Sequence, residues 1–157
     1  MLTPEVIRSR LISQGFSCDT DPRIMVNARW LRFTPTLSTI CIIIGTALRS
    51  PTVLWSFAFI AVVGAAGWHP FDALFNAIVR RWVHAPRLGP NPAPRRFAMA
   101  VAAIWSAAAG WLMSAGLLRA GVVAGGVLSL AAAIVATTHF CLGSWLYHML
   151  RGRTISA

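Results

Sequence analysis

The sequence predicts an all-α integral membrane protein with four transmembrane helices, arranged as two pseudo-repeated hairpins. Hydrophobic residues make up 57% of the 157 residues and charged residues only 11%, whereas soluble domains carry roughly 25% charged residues. Four apolar stretches are separated by two short turns and one proline-rich connector. All 14 basic residues are arginines, and most of them flank the apolar stretches, as expected for a membrane protein.

The N-terminal tail, residues 1–32, precedes the first apolar stretch and contains a predicted short helix. Thr3 is a suitable N-cap, and Pro4 favours the first helical position. Ile7 and Leu11 give this helix a narrow apolar stripe. The stripe is typical of a helix lying at the membrane interface, and a solvated tail is an equal alternative.

The first transmembrane hairpin is expected over residues 33–85. Its two apolar stretches run from 33 to 48 and from 52 to 68, with the turn Arg-Ser-Pro between them. Pro70 should bend the second helix, because proline lacks an amide hydrogen and clashes with the preceding turn. Residues 71–83 then continue as an amphipathic helix.

The second hairpin follows a cytoplasmic connector, residues 86–96, whose four prolines exclude a helix there. We expect this hairpin over residues 97–150, with apolar stretches 97–118 and 120–150. The last stretch is longer than the ~20 residues that a bilayer core requires. Residues 151–157 form a short cytoplasmic tail.

The arginines predict the orientation of the protein in the membrane. Twelve lie in the N-terminal tail, around the central connector and in the C-terminal tail, whereas the two hairpin turns hold only Arg49 and Arg119. Because positive residues are retained on the cytoplasmic side, both termini and the connector should be cytoplasmic. The expected location is the bacterial inner membrane, with multiple spans.

An internal repeat is predicted at an ungapped offset of about 70 residues. Leu48 and Arg49 match Leu118 and Arg119, and His69 matches His139. Each half is then one hairpin, and the two halves are parallel repeats related by an axis along the membrane normal.

Small residues recur at intervals of about four in the second hairpin. Such seams let helix backbones approach closely in a membrane, so they favour a close contact between spans three and four. An alanine-rich composition that distributes small residues everywhere is the alternative. The predicted packing positions are Ser106, Gly110, Ser114, Gly121, Gly125 and Ser129.

Two histidines and one aspartate near the ends of the spans are candidate ligand or proton contacts. Ionisable residues within spans are often functional, and His69 and His139 are related by the predicted repeat. Each imidazole could instead form a structural hydrogen bond. Asp72 is expected to pair with Arg80 or Arg81, and a proton relay is the alternative. No metal site and no cofactor are predicted; a haem or chlorin at His69 or His139 stays open.

Cys141, Ser144 and His148 are predicted to share one face of the fourth span, because they recur at helical spacing. A histidine close to a thiol can activate it as a nucleophile, so the three form a candidate thiol site. A buried cysteine that packs as a small apolar residue is the alternative. The sequence contains no CxxC pair, and Cys18 and Cys41 lie far from Cys141 in the chain.

Three stretches read CDTDPRIMVNARWLRF, HPFDALFNAIVRRWVHAPRLGPNPAPRRFAMA and THFCLGSWLYHMLRG. Together they resemble a bacterial family of small four-helix membrane proteins, catalogued as domain of unknown function four-three-nine-five. The resemblance covers about residues 18–153, with PRRFA and FCLG as its characteristic motifs. It implies four membrane-spanning helices.

The same resemblance implies thiol chemistry in part of the family, where FCLGC gives a CxxC-type pair on a helix and some members look linked to sulfur transfer. Cys141 matches the first thiol, and Ser144 replaces the second. A dithiol mechanism on that helix is therefore not expected in this protein.

The leading functional hypothesis is a non-enzymatic accessory or scaffold subunit that packs against a larger membrane protein complex. It rests on the lack of a catalytic motif and on the contrast between a bulky first hairpin and a small-residue second hairpin. A thiol or sulfur-handling protein using Cys141 is the second hypothesis, and a small conduit lined by His69 and His139 is the third. The expected partners are the lipid bilayer and that complex, and not nucleic acid, because membrane topology explains the arginines.

Overall fold

The computed structural model describes residues 3–18, 23–26 and 28–152, and within these ranges every regular element is helical. The last residues of the predicted C-terminal tail lie outside them. A short 3-10 helix, Trp30–Arg32, leads into α3, and a π-helical turn, Phe75–Val79, joins α5 to α6. The α-helices are α1 (Pro4–Ser13), α2 (Arg23–Val26), α3 (Phe33–Ala47), α4 (Pro51–Ala65), α5 (Pro70–Leu74), α6 (Arg80–Val83), α7 (Ala93–Ser114), α8 (Leu118–Thr138) and α9 (Leu142–Leu150).

Three helices in the described part of the chain are long and apolar enough to cross a membrane: Trp30–Ala47, Ala93–Ser114 and Leu118–Thr138. The pair Pro51–Ala65 and Pro70–Val83 passes the same criteria only when taken together, and it is bent by 80° at the break. The chain therefore has three candidate spans, or up to four if the bent pair is one span. Its helices are those of a membrane protein.

The break after α4 occurs where the sequence predicts a bend. Ala66 ends the helix, Gly67 adopts a positive φ of 127°, and Pro70 begins α5. His69 has an extended backbone and caps α5, because its Nδ1 accepts a hydrogen bond from the Phe71 amide at 3.2 Å. Glycine at this φ avoids the strain that a Cβ would cause, so the chain turns sharply here.

The N-terminal helix α1 packs against the rest of the protein. Thr3 caps it as predicted, accepting a hydrogen bond from the Val6 amide at 3.5 Å. Leu11 is fully buried, in a cluster that includes Phe75 and Leu88. This packing excludes the solvated tail that the sequence left open.

The four long helices are joined mainly across the two hairpins. The most extensive contacts pair α4 with α7 and α3 with α8, while α7 also contacts α8 and α3 contacts α4. The core between the helices is apolar, with Ile42, Leu54, Phe57 and Met113 buried. Each helix of one hairpin therefore lies beside a helix of the other.

The small residues of α7 and α8 serve these cross-hairpin contacts as well as the contact between α7 and α8. Ser106 donates its hydroxyl hydrogen to the Leu54 carbonyl of α4 at 2.9 Å. A Cβ on Gly125 would overlap Thr46 of α3, so Gly125 faces the first hairpin. Gly125 was predicted to line the close contact between spans three and four, but α8 turns that side towards α3.

The other predicted packing positions have different environments. Gly121 faces α7, since a Cβ there would overlap Met113, and Gly110 faces Trp55 of α4. Ser114 and Ser129 donate their hydroxyl hydrogens to carbonyls of their own helices, at 3.0 and 2.8 Å. A hydroxyl that bonds the preceding turn leaves no donor for a neighbouring helix.

Two helix boundaries differ from the prediction. Helix α7 begins at Ala93 and not at Phe97, because a proline such as Pro94 is tolerated in the first turn, where no intrahelical donor is needed. The fourth apolar stretch does not form one helix. Helix α8 ends at Thr138, and α9 begins only at Leu142.

Candidate functional site

Buried polar side chains collect at one end of the helix bundle, where the chain has its breaks and its connector. We call this set the polar layer. Except for the half-buried Arg32, its members are less than 9% exposed. It consists of Gln14, Arg32, Thr34, His69, Asp72, Asn91, Arg95 and His139.

The end of α8 is held by side chains from the N-terminal segment. Arg32 donates from Nε to Nε2 of His139 at 2.8 Å, and Gln14 donates from its amide nitrogen to the His139 carbonyl at 2.6 Å. Arg10 donates to the Thr138 carbonyl at 2.7 Å. Helix carbonyls at a C-terminus lack intrahelical partners, so these donors satisfy the groups that the break exposes.

His139 is the residue that ends α8. Its backbone is left-handed, with φ 60°. Burial lowers the pKa of His139 to about 4, and the positive charges of Arg32, Arg10 and Arg95 lower this pKa as well. The ring is therefore neutral at pH 7, and its Nε2 is available to accept the hydrogen bond from Arg32.

Asp72 is buried and interacts with residues outside its own helix. Thr34 of α3 donates its hydroxyl hydrogen to Oδ1 of Asp72, and Nη2 of Arg95 lies 3.9 Å from the same oxygen. The prediction that Asp72 pairs with Arg80 or Arg81 was wrong, because the arginine beside its carboxylate is Arg95. Asp72 lies in the first turn of α5, and the break at His69 turns it towards α3 and α7.

Arg95 lies near both predicted histidines. Its positive charge disfavours a positive charge on either His69 or His139. Its guanidinium also lies over the Phe16 ring, 5.7 Å from the ring centre. In the sequence, Arg95 was interpreted only as one of the twelve arginines on the predicted cytoplasmic side. Its position before a predicted span gave no signal of burial, because such arginines are normally solvated.

His69 and His139 occupy different positions relative to their helices. His69 caps the N-terminus of α5, whereas His139 caps the C-terminus of α8. The ungapped offset of 70 residues therefore does not describe the helix boundaries, because α8 has 21 residues and α4 only 15. The histidines are not structurally equivalent in the way that this alignment predicted.

The His69 ring packs closely against α4, and a Cβ on Gly64 would overlap it. Its Nε2 is buried without a hydrogen-bond partner. Among the described residues no group of three or more His, Cys, Asp or Glu side chains could hold a metal ion. Neither histidine lines the cavity beside Cys141 that is described below, and the Nε2 of His139 is already bonded to Arg32, so the geometry gives no support to a haem or chlorin.

The connector is fastened to the same end of the bundle. Asn91 donates from its side-chain nitrogen to the Gly64 carbonyl at 3.2 Å, and its backbone amide donates to the Gly67 carbonyl at 2.8 Å. Asn76 exchanges two hydrogen bonds with the backbone of Leu88, at 2.9 and 2.8 Å. The proline-rich connector is thus an ordered part of the polar end.

The predicted thiol site is only partly assembled. Cys141 precedes α9 with an extended backbone, φ −104°, whereas Ser144 and His148 lie within that helix. His148 donates from Nε2 to the Ser13 carbonyl at 2.9 Å. Because α8 and α9 are separate helices, the three residues do not share one continuous helical face, and no hydrogen bond joins Cys141 to His148.

Cys141 instead lines a cavity of about 270 Å³ between α3, α4, α7, α8 and the start of α9. Ser38 of α3 also lines the cavity, and the rest of the lining is largely apolar, including Phe57 and Trp105. The Ser38 side chain is 4% exposed, and its hydroxyl has no hydrogen-bond partner. The three cysteines are present as thiols.

Sequence reasoning missed Gln14, Thr34, Ser38 and Asn91. The sequence offered no distinguishing signal for the first three. Asn91 lies between two prolines, and a polar residue held in such a rigid segment is a plausible anchor.

Comparison with known proteins agrees with the predicted family. No curated protein and no solved structure matches the chain. The family model described as "Domain of unknown function (DUF4395)" matches residues 26–152, which is most of the chain, and the protein therefore belongs to that family.

Proposed function

We propose that this protein is a non-enzymatic accessory or scaffold subunit of the bacterial inner membrane, with four spans and both termini cytoplasmic. The bent pair α4 and α5–α6 is the second span in this proposal. The hydrogen bonds from Arg10, Gln14 and Arg32 to the end of α8 support it, because they join the N-terminal segment to the end of the fourth span. Those two ends then lie on one side of the membrane, the side rich in arginine.

The two hairpins are pseudo-repeats in this proposal, with α8 lengthened relative to α4. Both halves have the order long helix, tight turn, long helix, break and shorter helix. The contacts support a two-fold relationship, because exchanging the hairpins converts the α4–α7 contact into the α8–α3 contact. These are the two most extensive helix contacts of the bundle.

The polar layer supports a structural role more than a catalytic one. Gln14 and Arg10 bond backbone carbonyls, and so does Asn91. Arg32 bonds a histidine that is neutral at pH 7. Side chains engaged in this way hold helix ends together, and catalysis would require their release.

The observation that carries the proposal is an apolar groove on the outer side of the second hairpin. Its volume is about 480 Å³, and Ile104, Trp105, Ala108 and Ala124 are among its lining residues. Trp105 donates from its indole nitrogen to the Ala124 carbonyl at 2.9 Å, which fixes the groove floor. Small residues at the base of a groove admit a neighbouring transmembrane helix, so we assign the groove to a helix of a larger membrane protein.

Site-specific photo-crosslinking in cells tests the proposal. A photoreactive amino acid replaces Ile104 at the groove, or Phe59 on α4 as a control; the two side chains are 72% and 71% exposed. We expect one defined protein adduct from position 104 and predominantly lipid adducts from position 59. Lipid adducts at both positions, with a lone monomer or a symmetric homo-oligomer after mild extraction, would contradict the proposal.

A thiol-handling role is the second candidate, favoured by the position of Cys141 on a cavity wall. Cys141 is 9% exposed, so the accessory-subunit proposal expects slow maleimide modification and normal complex assembly in Cys141→Ser. Fast modification would favour the thiol role. A conduit is less favoured, because Ile42, Leu54 and Phe57 fill the space between the helices.

A further inference from the structure

The cavity beside Cys141 is lined by a buried hydroxyl that has no partner. Thr46 and Ser144 also have buried hydroxyls without a partner, but neither residue lines this cavity. Several other hydroxyls in the described spans bond a carbonyl one turn earlier: Thr39 donates to the Pro35 carbonyl at 2.7 Å, and Thr137 donates to the Ala133 carbonyl at 2.8 Å. Ser38 does not, although it is 4% exposed. A buried donor without an acceptor is costly, so the Ser38 side chain offers a hydrogen bond that the protein itself leaves unused.

The remaining walls fit a ring more closely than a polar solute. Phe57 and Trp105 are aromatic lining residues, and Ile42 and Ala132 add apolar surface. Aromatic side chains favour offset or edge contacts with another ring. A cavity of about 150 Å³ holds benzene, so the 270 Å³ here accommodates a ring with several substituents.

We propose that this cavity binds a membrane-soluble carbonyl compound of the quinone type, with the Ser38 hydroxyl donating to its carbonyl oxygen. A quinone has the three required properties: an apolar body, a flat ring and a strong acceptor. It reaches the site by partitioning into the bilayer around the helices. We propose binding alone. Reduction of a quinone by two electrons would need a second thiol beside Cys141, and Ser144 occupies that position in the sequence.

Equilibrium dialysis of the full-length protein in lipid nanodiscs tests this inference. The probe is radiolabelled tetramethyl-p-benzoquinone, which has no free ring position for addition of a thiol, and empty nanodiscs give the background. We expect saturable binding to the wild type. Ser38→Ala should weaken binding about fivefold, the order expected for one lost hydrogen bond.

Two further variants locate the binding site. Ala132→Leu fills the cavity and should weaken binding more than tenfold. Ser129→Ala is the matched control, because the Ser129 hydroxyl bonds the Gly125 carbonyl of its own helix and does not line the cavity. Its affinity should equal that of the wild type, and the helical circular dichroism of all variants is measured in parallel.

The outcomes that overturn the inference are distinct. Binding no greater than in empty nanodiscs excludes the site. Equal affinity of Ser38→Ala and the wild type removes the proposed donor, even if Ala132→Leu fails to fold. A third arm uses labelled methyl palmitate, whose ester carbonyl represents a lipid; saturable binding of the ester without binding of the quinone would assign the cavity to lipid and overturn the quinone assignment.

Discussion

Arg32 donates a hydrogen bond from Nε to Nε2 of His139 at 2.8 Å. Arg32 ends the 3-10 turn that leads into α3, and His139 ends α8. This one contact therefore connects the start of α3 with the end of α8. It requires a neutral imidazole, because a protonated one has no lone pair to accept the bond.

The stability of the protein should fall as the pH falls through the range in which His139 becomes protonated. The pKa of His139 is about 4 in the folded protein and about 6.5 in the unfolded chain. Well above pH 6.5 the imidazole is neutral in both states and its contribution to stability is complete. Between these values the unfolded chain binds more protons, so the free energy of unfolding decreases by a few kcal/mol in total. Unfolding by SDS in mixed micelles at several pH values measures this decrease.

His139→Asn provides the comparison. Asparagine tolerates the left-handed backbone at this position and does not titrate in this range. The variant should be less stable at pH 7 and should lose part of the decrease between pH 6.5 and pH 4. An unchanged pH dependence would show that His139 does not contribute to it.

The buried pair Asp72 and Arg95 gives a second prediction. Asp72→Asn leaves the Arg95 guanidinium buried without a counter-charge, and Arg95→Met leaves the carboxylate in the same condition. Breaking one partner of a buried ion pair costs about 3–5 kcal/mol, so each single variant should be strongly destabilised. The double variant should be more stable than the sum of the two losses predicts. Additive losses in SDS unfolding would mean that the two side chains act independently.

Adjacent glycines in α8 give a third prediction with a built-in control. A Cβ at Gly125 would overlap Thr46, whereas a Cβ at Gly126 has no neighbour within 4 Å. Gly125→Ala should therefore destabilise the protein by about 1–3 kcal/mol. Gly126→Ala should be neutral or slightly stabilising, because alanine favours a helix.

Thr46→Ala in the Gly125→Ala background tests the assigned contact directly. Removing the side chain that the new Cβ meets should restore most of the lost stability. If the double variant is as unstable as Gly125→Ala alone, the contact between α3 and α8 at this position is not the cause.

The hydrophobic pattern predicted most of the long helices, because the bilayer requirement leaves long apolar stretches in the sequence. Pro70 marked the break after α4 correctly. The break at His139 was missed, since the stretch from 120 to 150 contains no proline and no Arg, Lys, Asp or Glu. That break depends on Arg10, Gln14 and Arg32, which are distant in sequence.

The candidate site was predicted less well than the fold. His69, His139 and Asp72 do lie in one buried layer, as their positions near span ends indicated. Their partners were not predictable, because Arg95 and Thr34 reach Asp72 only through the cross-hairpin packing. Local spacing also failed for Cys141, which leaves the helical register before α9 begins.

The central claim is that the two hairpins cross the membrane with their polar layer in the cytoplasm, and reporter fusions at four points test it most directly. Alkaline phosphatase, active only outside the cytoplasm, and green fluorescent protein, fluorescent only inside, are fused after Arg49, Pro90, Arg119 and the C-terminus. We expect phosphatase activity after Arg49 and Arg119 and fluorescence after Pro90 and at the C-terminus. Phosphatase activity at the C-terminus, or fluorescence after Arg49, would contradict both the four-span topology and the cytoplasmic polar layer.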